Sequence, residues 1–275
     1  MSLTAPLTLE MGGRAWRALP VHHDLSIPLY FGSAQPTFFA AAPASEAAFT
    51  AGSFVGDVRE GGSCNCATYT LTPHCNGTHT ECVGHITKER IGVRDALRSA
   101  LHLALLVTVT PVPAHRTPES SDPRPQTGDF LITRTALEAA ADAFASMAFA
   151  ALVIRTIPNE EAKRERDYDR MPAPFFTAEA MRWIVERGIE HLVTDLPSLD
   201  RANDEGRLTA HRIFWNVRPG ATSVDGQSRL SATVTELAYI ADEIEDGPYL
   251  LNLQIPPFTA DAAPSRPILI PIRPL

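Results

Sequence analysis

Short apolar runs at residues 105–109, 149–154 and 191–194 have the length and β-branched content of buried strands. The segments between them repeat at helical spacing. Thr135 and Glu138 fit a capping box, in which the hydroxyl takes a backbone N–H and the carboxylate reaches back. An Ala-rich helix is therefore predicted from there to about Ser146. Thr177 is placed to cap a second helix with Glu179 in its first turn, and Gly188, after Arg187, to stop it. The order strand–helix–strand–helix–strand predicts α/β layers. Alternation elsewhere predicts an opening strand at 21–27, a strand at 67–72, a short helix near 93–102 and closing strands at 249–255 and 268–272. Residues 32–62, rich in Ala, Gly, Ser and Pro, read as long loops, and 111–128 as a surface loop carrying five prolines. Residues 164–170 read as a charged, exposed segment and 218–231 as a Gly/Ser-rich loop. No internal repeat and no break in composition divides the chain, so one domain over 1–275 is expected.

Composition narrows the class. Hydrophobic residues make up 44% and charged residues 20% of the chain, ordinary for a globular protein. The net charge is −8 with no basic block, which argues against nucleic acid or an anionic membrane as partner. No apolar run approaches the roughly 20 residues needed to span a bilayer. The N-terminus shows no basic segment followed by an apolar stretch, so a cytoplasmic location is expected. The four cysteines, at 64, 66, 75 and 82, lie in one stretch rather than spread as a disulfide framework would be. A four-cysteine structural zinc site is disfavoured because one residue alone separates Cys64 from Cys66, and these two read as small apolar fillers of a strand.

Candidate chemistry gathers in the run His74-Cys75-Asn76-Gly77-Thr78-His79-Thr80-Glu81-Cys82-Val83-Gly84-His85. Three imidazoles, one carboxylate and two thiols within twelve residues are a donor set for zinc and related ions. His79 and Glu81 are two apart, so an extended backbone points both to one side. Such a cluster reads as a metal-assisted hydrolytic site. Of the histidines outside this run, His22, His23, His102, His115 and His191 read as surface or hydrogen-bonded core residues.

In order along the chain, Gly77-Thr78-His79, Glu81 and His85 resemble the signature of the cyclase family of metal-dependent hydrolases, which includes bacterial kynurenine formamidase and isatin hydrolase. The resemblance extends to His23-Asp24-Leu25-Ser26, Asp195-Leu196-Pro197-Ser198-Leu199-Asp200, His211-Arg212-Ile213, Thr235-Glu236-Leu237 and Pro264-Ser265-Arg266-Pro267. The chain departs from the family at four points. Glu81 stands where the family has aspartate, and Val83 where it has proline. Between His211 and Glu236 lie 24 residues where the family has about a dozen, a difference the loop at 218–231 would absorb. The family's first histidine, four before the second, falls on Cys75, with His74 one residue early. Two readings stand. In an unbroken strand Cys75, His79, Glu81 and His85 converge; a turn or bulge at Asn76-Gly77 resets the parity and presents His74, the preferred reading.

The resemblance implies an α/β fold, a swivelling β/β/α domain whose mixed sheet or barrel-like core is flanked by helices, in a homodimer or larger homo-oligomer. It implies a small-molecule substrate and hydrolysis of a C–N amide bond, in an N-formyl arylamine or a cyclic amide, by hydroxide generated on bound Zn²⁺ or Mn²⁺, one or two per chain. By the same resemblance His74, His79 and Glu81 would hold the first ion, and Glu81, His211 and Glu236 a second, leaving His85 as the catalytic proton carrier. Asp195 and Ser198 would shape the pocket or simply form a tight turn, and the Thr78 hydroxyl would orient a metal ligand. The alternatives are a lactone or cyclic-ester hydrolase, a metal-binding protein of this fold with little turnover, and an interaction protein built on structural zinc.

Overall fold

In the computed structural model, which describes residues 7–275, three parallel strands occupy the centre: Leu101–Val109, Ala151–Thr156 and His191–Thr194. The helices Arg134–Ala141 and Ala178–Glu186 fall between them in sequence, as the alternation predicts. Residues 1–6, and with them the start of the N-terminal stretch read above for a leader, lie outside the described residues. Thr233–Glu236 continues the parallel set, and antiparallel strands extend it at both ends. The resulting mixed sheet of eleven strands runs Thr8–Met11, Arg14–Ala18, Ile268–Pro274, Gly247–Asn252, Leu101–Val109, Ala151–Thr156, His191–Thr194, Thr233–Glu236, His79–Cys82 and Ala262–Pro264, with His23–Asp24 pairing beside Ile268–Pro274.

Both faces of the central strands are buried, which explains their continuous apolar runs. Alternate residues serve two cores. Leu103, Leu105, Val107, Leu152, Ile154 and Leu192 pack under Leu137, Met181 and Ile184 of the two helices. Ala104, Leu106, Ala151, Val153 and Val193 face the other way, toward Leu25, Ile240, Ile244 and Leu251. The fold is thus a mixed α/β architecture with the helices Arg134–Ala141 and Ala178–Glu186 on one side of the sheet. Among the described residues no helix is long and apolar enough to cross a membrane.

Several local expectations change. The first long helix starts one residue before Thr135. Its cap is Thr133, whose hydroxyl accepts from the Ala136 N–H at 3.1 Å. Thr135 is occupied by Glu119, a carboxylate sixteen residues back that also takes the Arg134 and Thr135 amides, and Glu138 pairs with Arg134. A distant carboxylate thus replaces the local capping box. The helix ends at Ala141, short of Ser146. Thr177 does cap the second helix, accepting from Ala180 N–H at 3.0 Å, and Gly188 turns the chain at φ +74°. The opening strand shrinks to His23–Asp24, while the hairpin Thr8–Met11/Arg14–Ala18 precedes it. Cys64 and Cys66 are exposed in a loop, not strand fillers, and residues 32–62 include short strands, of which Ser45–Ala48 pairs with Ala67–Thr70. Within 164–170, Tyr168 is buried rather than exposed, as is Lys163 just before the segment.

His102 and His191 stack at the start of their strands, ring centroids 3.9 Å apart. His191 Nδ1 meets Thr233 Oγ1 at 2.9 Å, and His102 Nε2 donates to Ser99 O at 2.8 Å. Burial pushes His191 down to about 3, helped by the neighbouring His102 and Arg229. Between pH 6.5 and about 3 the unfolded chain therefore binds a proton at His191 that the folded chain refuses. Stability from this group is complete above pH 6.5 and falls as the pH is lowered. Urea midpoints for His191→Asn should decline less between pH 7 and 4 than those of the wild type, by on the order of 2–3 kcal/mol in unfolding free energy. Parallel declines would show that the buried imidazole is not the acid-labile group.

Candidate metal centre

His79–Cys82 is fully buried and lies between Thr233–Glu236 and Ala262–Pro264. Residues two apart on a strand share a face, so His79 and Glu81 point the same way. The antiparallel register sets Glu236 directly opposite His79, on that same face. Thr80 and Thr235, the next pair, face the other side and join their hydroxyls at 2.7 Å. Strand geometry alone therefore brings three donors together. Glu236 Oε2 lies 3.4 Å from His79 Nε2.

The other donors come from segments packed on this platform. Before the strand begins, the chain turns through 72–78: Cys75 and Asn76 N–H donate to Thr72 O, the Asn76 side chain accepts from Thr72 N–H, and Gly77 sits at φ +140°. This break removes the alternation that would have grouped Cys75 with His79. His74 Nδ1 lies 2.8 Å from Glu81 Oε2, whereas Cys75 is buried outside the cluster, its thiol pushed up by burial and by the negative Asp169 and Glu236. His85 follows on a short 3₁₀ turn, with Nδ1 3.9 Å from Glu81 Oε2. His211 belongs to the helix Thr209–Trp215, and its Nε2 lies 3.2 Å from Glu81 Oε1 and 3.6 Å from Glu236 Oε1.

Glu81 is the common member. Two groups of donors, His74–Glu81–His85 and His79–Glu81–Glu236, each lie within the reach of one cation. All six residues singled out in the sequence converge here, in a different grouping: His85 joins His74, while His79 sides with Glu236. Among the described residues, few buried side-chain atoms lack a hydrogen-bond partner, and His79 Nε2, Glu81 Oε1 and His211 Nε2 are three of them. Unsatisfied nitrogen and oxygen donors at one point are what a divalent ion needs, and buried polar atoms without partners are otherwise costly. The mixture of imidazole and carboxylate suits zinc or manganese.

The outer nitrogens complete the fit. His79 Nδ1 donates to Gly77 O at 2.9 Å, His211 Nδ1 meets Asp200 Oδ2 at 2.7 Å, and His74 Nε2 meets Asp261 Oδ2 at 3.0 Å. In each ring the outer nitrogen is held by an oxygen and the inner one faces the cluster, as ligand histidines are held. Electrostatics follow from this packing. Burial opposes charge on His74, but Asp261 and Glu81 outweigh it and raise the ring to about 10. Burial likewise opposes charge on His211, which Asp200, Glu236 and Glu81 hold well above its ordinary value. Glu81, fully buried, is kept well below the usual carboxylate range by His85, His211 and His74.

Asp200 and Asp261 complete this arrangement. Asp200 lies in the 195–200 turn, which was legible as a motif; Asp261 left no local signal. Asp195 does not line the centre: it pairs with the buried Lys163 at 2.7 Å and accepts from Thr156 N–H. Ser198 takes the Asp200 N–H. The Thr78 hydroxyl orients no ligand; it donates to Leu237 O and accepts from Ile27 N–H. The Cys82 thiol is pushed up to about 12 by burial, and its Sγ donates to Ile91 O at 3.3 Å.

The family model named Cyclase, described as "Putative cyclase", matches residues 7–201. No curated protein matches the chain. Among solved structures, the chain is similar to a predicted metal-dependent hydrolase from Bacillus stearothermophilus at 16% identity and TM-score 0.56, covering 91% of this chain and 98% of that one. It is similar to isatin hydrolase A from Labrenzia aggregata bound to benzyl benzoate, at 13% identity and TM-score 0.61, over 91% and 93% of the two chains. An isatin hydrolase bound to the product analogue thioisatinate matches at 12% identity and TM-score 0.58, over 92% of each chain. The likeness is one of fold.

The turn at 72–78 makes a direct prediction. His74→Ala should weaken Zn²⁺ or Mn²⁺ binding more than Cys75→Ser does, by about tenfold or more, with dissociation constants of the two variants measured side by side. The reverse order would place the thiolate in the centre, and metal uptake would then release a thiol proton.

Proposed function

The chain belongs to the cyclase family, and from that premise we propose that it is a metal-dependent hydrolase of small molecules that cleaves a non-peptide C–N amide bond, in an N-formyl arylamine or a cyclic amide. The observation that carries this reading is the convergence of four imidazoles and two carboxylates on one point, with inward nitrogens and an oxygen left without partners. His74, His79, Glu81, His211 and Glu236 would hold one or two divalent ions, zinc or manganese. Such an ion, when bound, acts as a Lewis acid toward a carbonyl and lowers the pKa of water.

The chain's own residues divide into a closed and an open side. The side chains of His79, Glu81, His211 and Glu236 are at most 4% exposed, whereas those of His74 and His85 are 24% and 29% exposed. A substrate must therefore approach past His74 and His85. His85 is suited to carry a proton from attacking water to the departing nitrogen, a role that needs access and a ring held within reach of the reacting atoms. Water supplies hydroxyl to the carbonyl carbon and hydrogen to nitrogen; the C–N bond breaks, giving a carboxylate and an amine. Isatin, the compound for which two of the similar structures are named, is itself a ring amide, which supports the cyclic class.

Elemental analysis of the purified protein should find about one or two divalent ions per chain, and a screen of formamides, cyclic amides and lactones should find turnover among the amides. His79→Ala should strip most of the metal and leave a folded chain; full retention would remove the centre assigned above. Lactone turnover alone would replace the amide reading with an ester one, and bound metal without any turnover would make the chain a binder.

His85→Ala should keep metal content near that of the wild type and lower turnover by about 10²- to 10⁴-fold, the range for losing a general acid–base. Loss of metal in this variant would instead make His85 a ligand, in line with its grouping with His74 and Glu81.

A further inference from the structure

We propose that Asp261 is a positioning residue of this centre, fixing His74 and His85 through one carboxylate oxygen. The inference rests on the metal-centre reading above and adds a residue to it. Asp261 Oδ2 lies 3.0 Å from His74 Nε2 and 3.6 Å from His85 Nδ1. The two rings stack beside it, centroids 4.2 Å apart and planes inclined by 31°. With Nε2 engaged by Asp261, His74 is left to present Nδ1 to Glu81 Oε2.

The carboxylate is delivered by fixed backbone. Cys82 N–H donates to Asp261 O at 3.0 Å, and Val93 N–H to Ala260 O at 2.8 Å. Ala262–Pro264 then continues as the edge strand against His79–Cys82. Gly84 lets the segments close on each other: a Cβ there would come within 2.2 Å of Ile91 O and 3.3 Å of Asp261 Cβ. Arg266, the next basic residue along the chain, donates to Asp24 at 2.6 Å, and the ion pairs of Asp261 are those with His74 and His85. Asp261 is thus directed at the two histidines rather than spent on a surface ion pair.

Asp261 mirrors Asp200 across the centre, with one difference. The Asp200 side chain is buried at 3% exposure and the Asp261 side chain is 42% exposed. Asp200 steadies the closed side, and Asp261 does the same on the side where substrate enters. A carboxylate on the outer nitrogen raises the donor strength of a ligand imidazole and locks its ring, and losing such a partner costs about 10- to 100-fold in metal affinity. Asp261 does this without occupying a position on the ion.

The test compares wild type, Asp261→Asn and Asp261→Glu, with Glu243→Gln as an exposed control that removes one negative charge elsewhere. Dissociation constants for Zn²⁺ are read by chelator competition, and the imidazole N–H signals of the zinc-loaded proteins by NMR. Asp261→Asn should bind zinc about 10- to 100-fold more weakly at unchanged stoichiometry, and lose the slowly exchanging Nε2–H signal of His74 while the Nδ1–H signal of His211, held by Asp200, persists. Asp261→Glu should recover part of both, and Glu243→Gln should match the wild type. Unchanged affinity and an intact His74 signal in Asp261→Asn, in a wild type that binds zinc and loses it on His79→Ala, would overturn this inference alone. A weakening equalled by Glu243→Gln would reduce it to net charge and overturn it. A wild type that binds no ion overturns the metal-centre reading and this inference with it.

Discussion

The structure depends on burying one carboxylate. Glu81 is 1% exposed in the middle of a strand with neighbours on both sides. An isolated charge there would cost several kcal/mol or more in lost hydration, so it must be surrounded by positive partners or protonated. His74, His85 and His211 provide that surrounding, and Glu81 uses its two oxygens on different sides: Oε2 toward His74 and His85, Oε1 toward His211. Coupling runs both ways. The histidines favour the ionised form of Glu81, and Glu81 with the other carboxylates favours the charged forms of His74 and His211. A divalent cation held by these residues would take the place of protons in this arrangement.

Rigidity comes from the sheet. His79, Glu81 and Glu236 sit on paired strands within it, so their relative positions are set by hydrogen-bonded register rather than by loops. The turn at 195–200 extends this control. Leu199 N–H donates to Glu236 Oε1 at 3.0 Å, while Asp200 takes His211 Nδ1 and the N–H groups of Ala210 and His211. The turn is itself anchored from below: Asp195 pairs with Lys163, whose amine also donates to Thr156 O and Asn159 Oδ1. Leu237 N–H donates to Leu196 O, tying the turn to the residue after Glu236. The segment therefore holds Glu236 and His211 in place.

Much of this was legible along the chain. The order of central strands and helices follows from periodicity, because burial on both faces leaves long apolar runs and helices leave capped segments of the right length. The donors in 74–85 announced themselves by density, and His79 with Glu81 by a spacing of two on extended backbone. His211 and Glu236 were identified through resemblance, since a lone histidine and a lone glutamate carry no signal of their own. Local capping was less faithful: Glu119 displaced the expected box at Thr135 by reaching over from another loop, and Cys64 and Cys66 lie exposed where strand packing was expected.

By itself the sequence determined which residue types meet and in what local pattern, because strand and helix periods act over two to four residues. Tertiary structure alone decided three things. The break at 72–78 chose His74 over Cys75, since parity holds only while the strand is unbroken. The antiparallel register put Glu236 opposite His79 across more than 150 residues of chain. Asp261 reached His74 from 187 residues away by the pairing of an edge strand. Each of these is a choice among backbone pairings of distant segments, settled by burial of the whole sheet and not by any residue's neighbours in the chain.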